Sequence, residues 1–209
     1  MLDCKPTFTP TDCKLRLNAD GETMHDVSYC QWLVGKLIYL TITCPNITYA
    51  VSLANQFMHS PTVNHLHIVK RILRYLNGSI GQGIIMRNNK STTISGYTDA
   101  DWAGNALDRK STTNYCTFLG GQGNLVTWKS KKQQVIARSS AEADYRAMAA
   151  IACELIWLKG FLSDLRFPTP SSMSLMCNNQ AAIHITANPV FHERTKHMEV
   201  DCHFIRAQV

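Results

Sequence analysis

No Cys-x-x-Cys pair occurs among the eight cysteines, at positions 4, 13, 30, 44, 116, 153, 177 and 202. The paired-ligand spacing of a zinc ribbon is therefore missing. The opening residues MLDCKPTFTP hold no apolar core of the signal-peptide kind. No stretch approaches the roughly 18 consecutive apolar residues of a membrane-spanning helix. Internal repeats and low-complexity tracts are absent too, which excludes solenoids and fibrous arrays. Charged residues are sparse at 17%, yet apolar residues reach 45%, which is the composition of a packed globular chain. These absences predict an intracellular chain, cytoplasmic or nuclear, with reduced thiols, not secreted and with no membrane partner.

Acid is scarcer than base: 15 Asp and Glu stand against 21 Lys and Arg over 209 residues, a formal charge of +6. That excess permits a polyanionic partner without requiring one. Nothing in the sequence sets the oligomeric state.

Residues 1–26 are polar and carry Pro6, Pro10 and Gly21, which reads as a linker or edge. From Val27 to Thr43 the periodicity is helical, with Leu33, Leu37 and Leu40 on one face. Pro45 interrupts it, and a second apolar stretch runs to Met58. Over 62–77, Leu66, Val69, Leu73 and Leu76 recur at helical spacing, and Lys70, Arg71 and Arg74 lie off that stripe, with His65 and His67 nearby. The basic face reads either as a solvated surface or as a phosphate contact. Residues 27–78 thus form a small helical unit.

Past Gly78 the texture changes. Gly83–Arg87 is a short β-rich run, and strands are expected over Thr92–Trp102, Asn114–Leu119 and Asn124–Lys129, with Gly120-Gly121 as a hairpin signal. A long helix follows over Ala141–Leu165, closed by Pro168. Then come a strand over Met173–Cys177, a helix over Gln180–Thr186 and a last helix over His192–Arg206. A meander followed by β-α units predicts an α/β fold with a mixed sheet. Trp102, Trp128 and Trp157 are expected in the core.

Three places bring chemistry to this sheet. Asp99 and Asp101 fall on one side of a strand with Ala100 turned away; the plain alternative is a strand end becoming a turn. Ser139 and Glu142 fit the S-x-x-E capping box. Asp144 lies within about 40° of Met148, Ile151, Leu155, Leu158 and Leu162, the buried stripe of the long helix, whereas Glu142 lies about 160° away. A carboxylate on that stripe calls for a partner, since burying it alone costs several kcal/mol. Cys177-Asn178-Asn179-Gln180 sits where a strand gives way to a helix, where Asn is a common N-cap. Lys129, Lys131, Lys132 and Arg138 form a second basic cluster. His192, His197, Cys202 and His203 fit no common structural zinc spacing.

The strings YTDADWAG (97–104), SSAEADYRAMA (139–149), CNNQAAIHI (177–185) and NPVFHERTKHMEVDCHFIR (188–206) resemble the ribonuclease H domain of copia-type retrotransposon Pol polyproteins. Residues 34–79 resemble the segment that joins the reverse transcriptase to that domain. The resemblance implies a helical connection over 27–78 and a ribonuclease H-like mixed sheet over 79–209. The chain ends at Val209, before a last strand and helix that the family carries, so the sheet is expected without its final strand. It also implies cleavage of the RNA strand of an RNA–DNA hybrid by two Mg²⁺ ions about 3.5–4 Å apart. Asp99 would be the first-strand acid and a metal ligand. Asp144 would hold the helix position, also as a metal ligand, where the family usually has Glu. Asn178 would hold the later-strand position, where the family usually has Asp. Apart from the resemblance, the two basic clusters, Lys70, Arg71 and Arg74 with Lys129, Lys131, Lys132 and Arg138, are where contact with nucleic acid is expected. Asp144 keeps the charge on a shorter arm and Asn178 loses it, so weak or no nuclease activity is expected. A hybrid-binding module without catalysis, or an unselected relic, are the other readings.

Overall fold

The computed structural model describes residues 4–12, 21–121, 123–187, 201, 204 and 205. The chain divides into two units, Met1–Ile84 and Ile85–Val209.

The first unit is helical: α1 (Val27–Leu40), a 3₁₀ turn (Pro45–Ile47), α2 (Thr48–Asn55) and α3 (Val63–Gly78). Asp26 caps α1 by accepting the Tyr29 amide at 2.9 Å. At the start of α3 the Thr62 amide donates to His65 Nδ1 at 2.9 Å, a capping box with an imidazole in the usual Glu place. His65 is buried against Phe57, at 4.0 Å between ring centroids, and burial lowers its pKa. It therefore belongs to the interior and not to a basic face. The core joins Cys30, Val34 and Leu37 of α1 to Ile47, Val51 and Ala54, and to Ile68, Val69 and Ile72 of α3. On α3 the fully buried line is Ile68–Val69–Ile72, while Leu66, Leu73 and Leu76 of the expected stripe pack beside it, half-buried.

Residues 4–12 are more than a polar linker. The Thr7 amide donates to the Arg74 carbonyl, Asn77 Nδ2 to the Cys4 carbonyl and Arg74 Nε to the Lys5 carbonyl. This segment lies along α3 as a strap.

The second unit holds a four-stranded mixed sheet in the order β3-β2-β1-β4. Its strands are β1 (Ile94–Asp101), β2 (Thr112–Leu119), β3 (Asn124–Lys132) and β4 (Ser174–Cys177). The first three form the antiparallel meander, with an irregularity at Thr117/Phe118, and β4 lies parallel to β1. Helices α4 (Ser140–Asp164) and α5 (Gln180–Ala187) complete it. Ile151, Leu155, Leu158 and Leu162 of α4 pack on Ile94 and Tyr115, while Tyr145 and Met148 pack on Ala182 of α5. Gly96 allows this close approach: a Cβ there would meet Ile151 Cδ1 at 2.6 Å.

Three expectations are corrected. Gly83–Arg87 forms no strand. It has no ladder partner, and its end is pinned by one side chain, Asn124, which accepts from the Arg87 amide at 2.7 Å and donates to the Arg87 carbonyl at 2.8 Å. Trp102 and Trp157 are exposed, not core: Trp102 sits past the end of β1 and Trp157 lies off the buried stripe of α4. Glu142 accepts from the Arg138 amide, one residue before the Ser139 cap, and so completes the capping box only in part. The last expected helix, His192–Arg206, and the residues His192, His197, Cys202 and His203 lie outside the described residues, apart from Asp201, Phe204 and Ile205. No helix among the described residues is long and apolar enough to cross a membrane.

Candidate functional site

The site is built where β1 outruns its parallel neighbour. Strand β4 stops at Cys177, opposite Thr98. The next part of β1 on that edge has no ladder partner among the described residues, and the Ala100 amide calls for another acceptor. Asp144, one turn into α4 and 4% exposed, fills the gap. Its Oδ1 accepts from the Ala100 amide at 2.8 Å, and its Oδ2 accepts from Asn179 Nδ2 at 2.8 Å. Asn179 Oδ1 in turn accepts from the Ala182 amide at 3.1 Å, capping α5. One carboxylate thus ties β1, α4 and α5 together.

Burial pushes the Asp144 carboxyl up. The hydrogen bonds from Asn179 and Ala100 pull the other way, and the negative charge of Asp99 adds to the rise. Cys177 is raised by burial too, eased by the Asn179 amide and raised further by Asp144 and Asp99. Asp99, Asp144 and Cys177 therefore share one electrostatic neighbourhood.

On the sheet face opposite α4, a groove of about 530 Å³ is lined by Tyr97, Asp99, Asn114, Cys116, Met176 and Asn178, among others. The structure brings Asp99 and Asn178 to this one groove. Asp144 does not line it; it reaches the same strand end from the α4 side. Asp101 is exposed, and its carbonyl accepts from the Gly104 amide at 3.4 Å. Any Cβ at Gly104 would run into the Asp101 carboxylate, so Asp101 folds over the turn that leaves β1.

The donor set does not suit two Mg²⁺ ions. Asp144 accepts one N–H on each oxygen from the α4 side, Asn178 offers one neutral oxygen, and Asp99 is the one carboxylate that lines the groove among the described residues. Among those residues no group of three His, Cys, Asp or Glu is placed to hold a metal ion. Such sites need several charged oxygens.

The basic residues separate. Lys129 and Lys131 are exposed on β3 opposite Tyr115 and Thr113, hence on the α4 side of the sheet and not on the groove side. Lys132 pairs with Asp108 at 2.8 Å, where Lys110 also lies at 3.7 Å. Burial at Asp108 works upward but is outweighed by these lysines, which hold its carboxyl below the usual range. The Arg138 side chain is exposed. In the first unit Lys70 is exposed, but Arg71 and Arg74 are not a free face: Arg71 donates to Thr9 and Asp12, and Arg74 to Lys5, because the strap supplies acceptors along α3.

Sequence reasoning named Asp144 and Asn178 but missed Asn179 as the partner of Asp144. The signal was present in part, since an Asn before a helix reads as an N-cap. Its second, amide-nitrogen contact depends on how α4 and α5 meet.

No family model matches the chain, and no solved structure matches it. Over its full length it is 41% identical to the retrovirus-related Pol polyprotein from transposon RE1 of Arabidopsis thaliana, and covers 14% of that polyprotein. It is 37% identical to the retrovirus-related Pol polyprotein from transposon TNT 1-94 of Nicotiana tabacum, again over its full length, and covers 16% of it. Against an uncharacterized mitochondrial protein of Arabidopsis thaliana it is 42% identical over 83% of its length, and covers 70% of that protein. The chain thus spans about one-seventh of the Pol polyproteins it matches. Over its full length the chain is thus similar to one segment of the retrovirus-related Pol polyproteins of plant transposons.

Proposed function

We propose that residues 79–209 are a ribonuclease H-like module of a copia-type Pol polyprotein, and that this copy cleaves RNA–DNA hybrids weakly or not at all. Residues 27–78 are, on the same reading, the helical connection that follows the reverse transcriptase. The supporting observation is the lining of the groove. Among the described residues Asp99 is its one carboxylate, a neutral Asn stands at 178, and Asp144 reaches the strand end from the other side, where it holds the Ala100 amide and Asn179. Hydrolysis of this class depends on charged oxygens that hold two divalent ions and stabilise the attacking and leaving oxygens. Asp99 alone cannot supply them.

The decisive measurement is digestion of a fluorescent RNA–DNA hybrid in Mg²⁺ or Mn²⁺. We expect no cleavage above background. Robust cleavage that disappears in Asp99→Asn would overturn the proposal. The double variant Asp144→Glu with Asn178→Asp restores the family's side chains and is expected to raise any residual cleavage.

A non-catalytic, hybrid-binding role is the second reading, favoured by the exposure of Lys129, Lys131 and Arg138. Binding of that kind weakens steeply with salt. A preference for hybrid over DNA duplex supports a shaped surface; equal affinity supports only a basic one.

A further inference from the structure

Arg71 and Arg74 are held more firmly than a solvent-facing helix requires. Arg71 donates from Nε to the Thr9 carbonyl at 3.2 Å and from Nη2 to Thr9 Oγ1 at 3.0 Å, and its Nη1 lies 3.4 Å from Asp12 Oδ2. Arg74 donates from Nε to the Lys5 carbonyl at 3.0 Å, the only hydrogen bond of its guanidinium among the described residues. Between strap and helix lies a cavity of about 190 Å³, lined by Thr11, Asp12, His67, Arg71 and Arg74, with Leu53 as an apolar wall. We propose that this cavity binds a phosphate group, as the free anion or as the phosphomonoester end of a nucleic-acid strand.

The chemistry of the lining carries it. Two guanidinium groups and an imidazole line a space in which, among the described residues, Asp12 is the sole acid. Guanidinium is the side chain best matched to phosphate, through parallel N–H donors in a fixed plane. Backbone carbonyls already fix the Nε atoms, so little side-chain freedom is left to lose when an anion enters. The Asp12 link is weak competition. At 3.4 Å it is longer than the 2.7–2.9 Å of a good charge-assisted bond, and its partners are 30% and 41% exposed. The basic face suggested by the periodicity of α3 thus becomes a pocket, and one confined to the first unit. It stands or falls independently of the ribonuclease H reading.

The test uses the whole chain. Thermal melts and ³¹P line broadening are followed in inorganic phosphate and in chloride at equal ionic strength. Short oligonucleotides with and without a 5′-phosphate are then compared at one salt concentration. We expect phosphate, but not chloride, to raise the melting temperature, and Arg74→Gln to weaken phosphate binding about tenfold. Response to orthophosphate alone assigns a small-anion site; stronger binding of the 5′-phosphorylated strand assigns a strand end. Both outcomes support the proposal. If phosphate acts no more than chloride, or if Arg74→Gln and His67→Ala leave its effect unchanged, the proposal is overturned. Arg71→Gln endangers the strap itself, whereas Arg74 is tied by one bond, so the Arg74 variant decides.

Discussion

At the scale of single residues, Asp144 shows how a side chain can carry a family position and a structural task together. It sits one turn into α4, is almost fully buried, and accepts from two donors that no other group serves among the described residues. Asp144→Ala leaves the Ala100 amide and Asn179 without an acceptor, at a cost on the order of 2–4 kcal/mol in urea unfolding. The pH dependence has a definite sign. The groups facing this carboxyl are Asp99 on β1 and Cys177 on β4, while Glu142 on its own helix is paired with Arg146 at 2.7 Å. Because its folded pKa is raised, the native state holds the proton more tightly. Its contribution to stability is therefore fully present below the unfolded value, near 3.9, and is lost as pH rises through the folded value. Wild type should gain stability relative to Asp144→Asn as pH falls from 7 towards 4. A gap that moves the other way would mean that the carboxylate is stabilised as an anion. The sequence placed Asp144 on the buried stripe and demanded a partner for it, because helical periodicity is a local property. It did not identify Ala100 and Asn179 as the partners, because they lie 44 and 35 residues away.

At the scale of elements, the ends of α4 are as informative as its middle. The helix closes with the Arg166 amide on the Ser163 carbonyl at 2.8 Å and the Phe167 amide on the Leu162 carbonyl at 3.0 Å. That is the Schellman pattern, with Arg166 at the left-handed position, φ +62°. Glycine adopts this backbone without steric penalty. Arg166→Gly should stabilise the second unit by about 0.5–1 kcal/mol, read as a higher urea midpoint with an unchanged slope. A loss of stability would mean that the arginine side chain makes up for its strained backbone. Pro168 announced the end of this helix in the sequence, but the terminating bonds come earlier, at 165–167. The tryptophans teach a related lesson. Trp157 and Phe161 are four residues apart and stack at 5.5 Å between centroids, yet both are exposed, off the face that packs on the sheet. Hydrophobic character suggested core, whereas position around the helix decided otherwise.

At the scale of the whole chain, the described residues form two cores. One joins α1, α2 and α3; the other lies between α4, α5 and the sheet. Each unit buries its own apolar faces, so differential scanning calorimetry should resolve two transitions. Asp144→Ala should lower only one of them. A single transition lowered as a whole would mean that the units unfold together.

Helix and strand periods, the turn signals, and the order meander-then-β-α were all determined by the sequence, because each depends on neighbours within a few residues along the chain. The motifs at 97–104, 139–149 and 177–185 were likewise legible one by one. Only the tertiary structure decided that β4 ends level with Thr98, so that a strand edge is left for Asp144 to close. It alone laid residues 4–12 along α3 and turned two surface arginines into the lining of a cavity. Those outcomes depend on where separate elements stop relative to one another, and no local pattern encodes that.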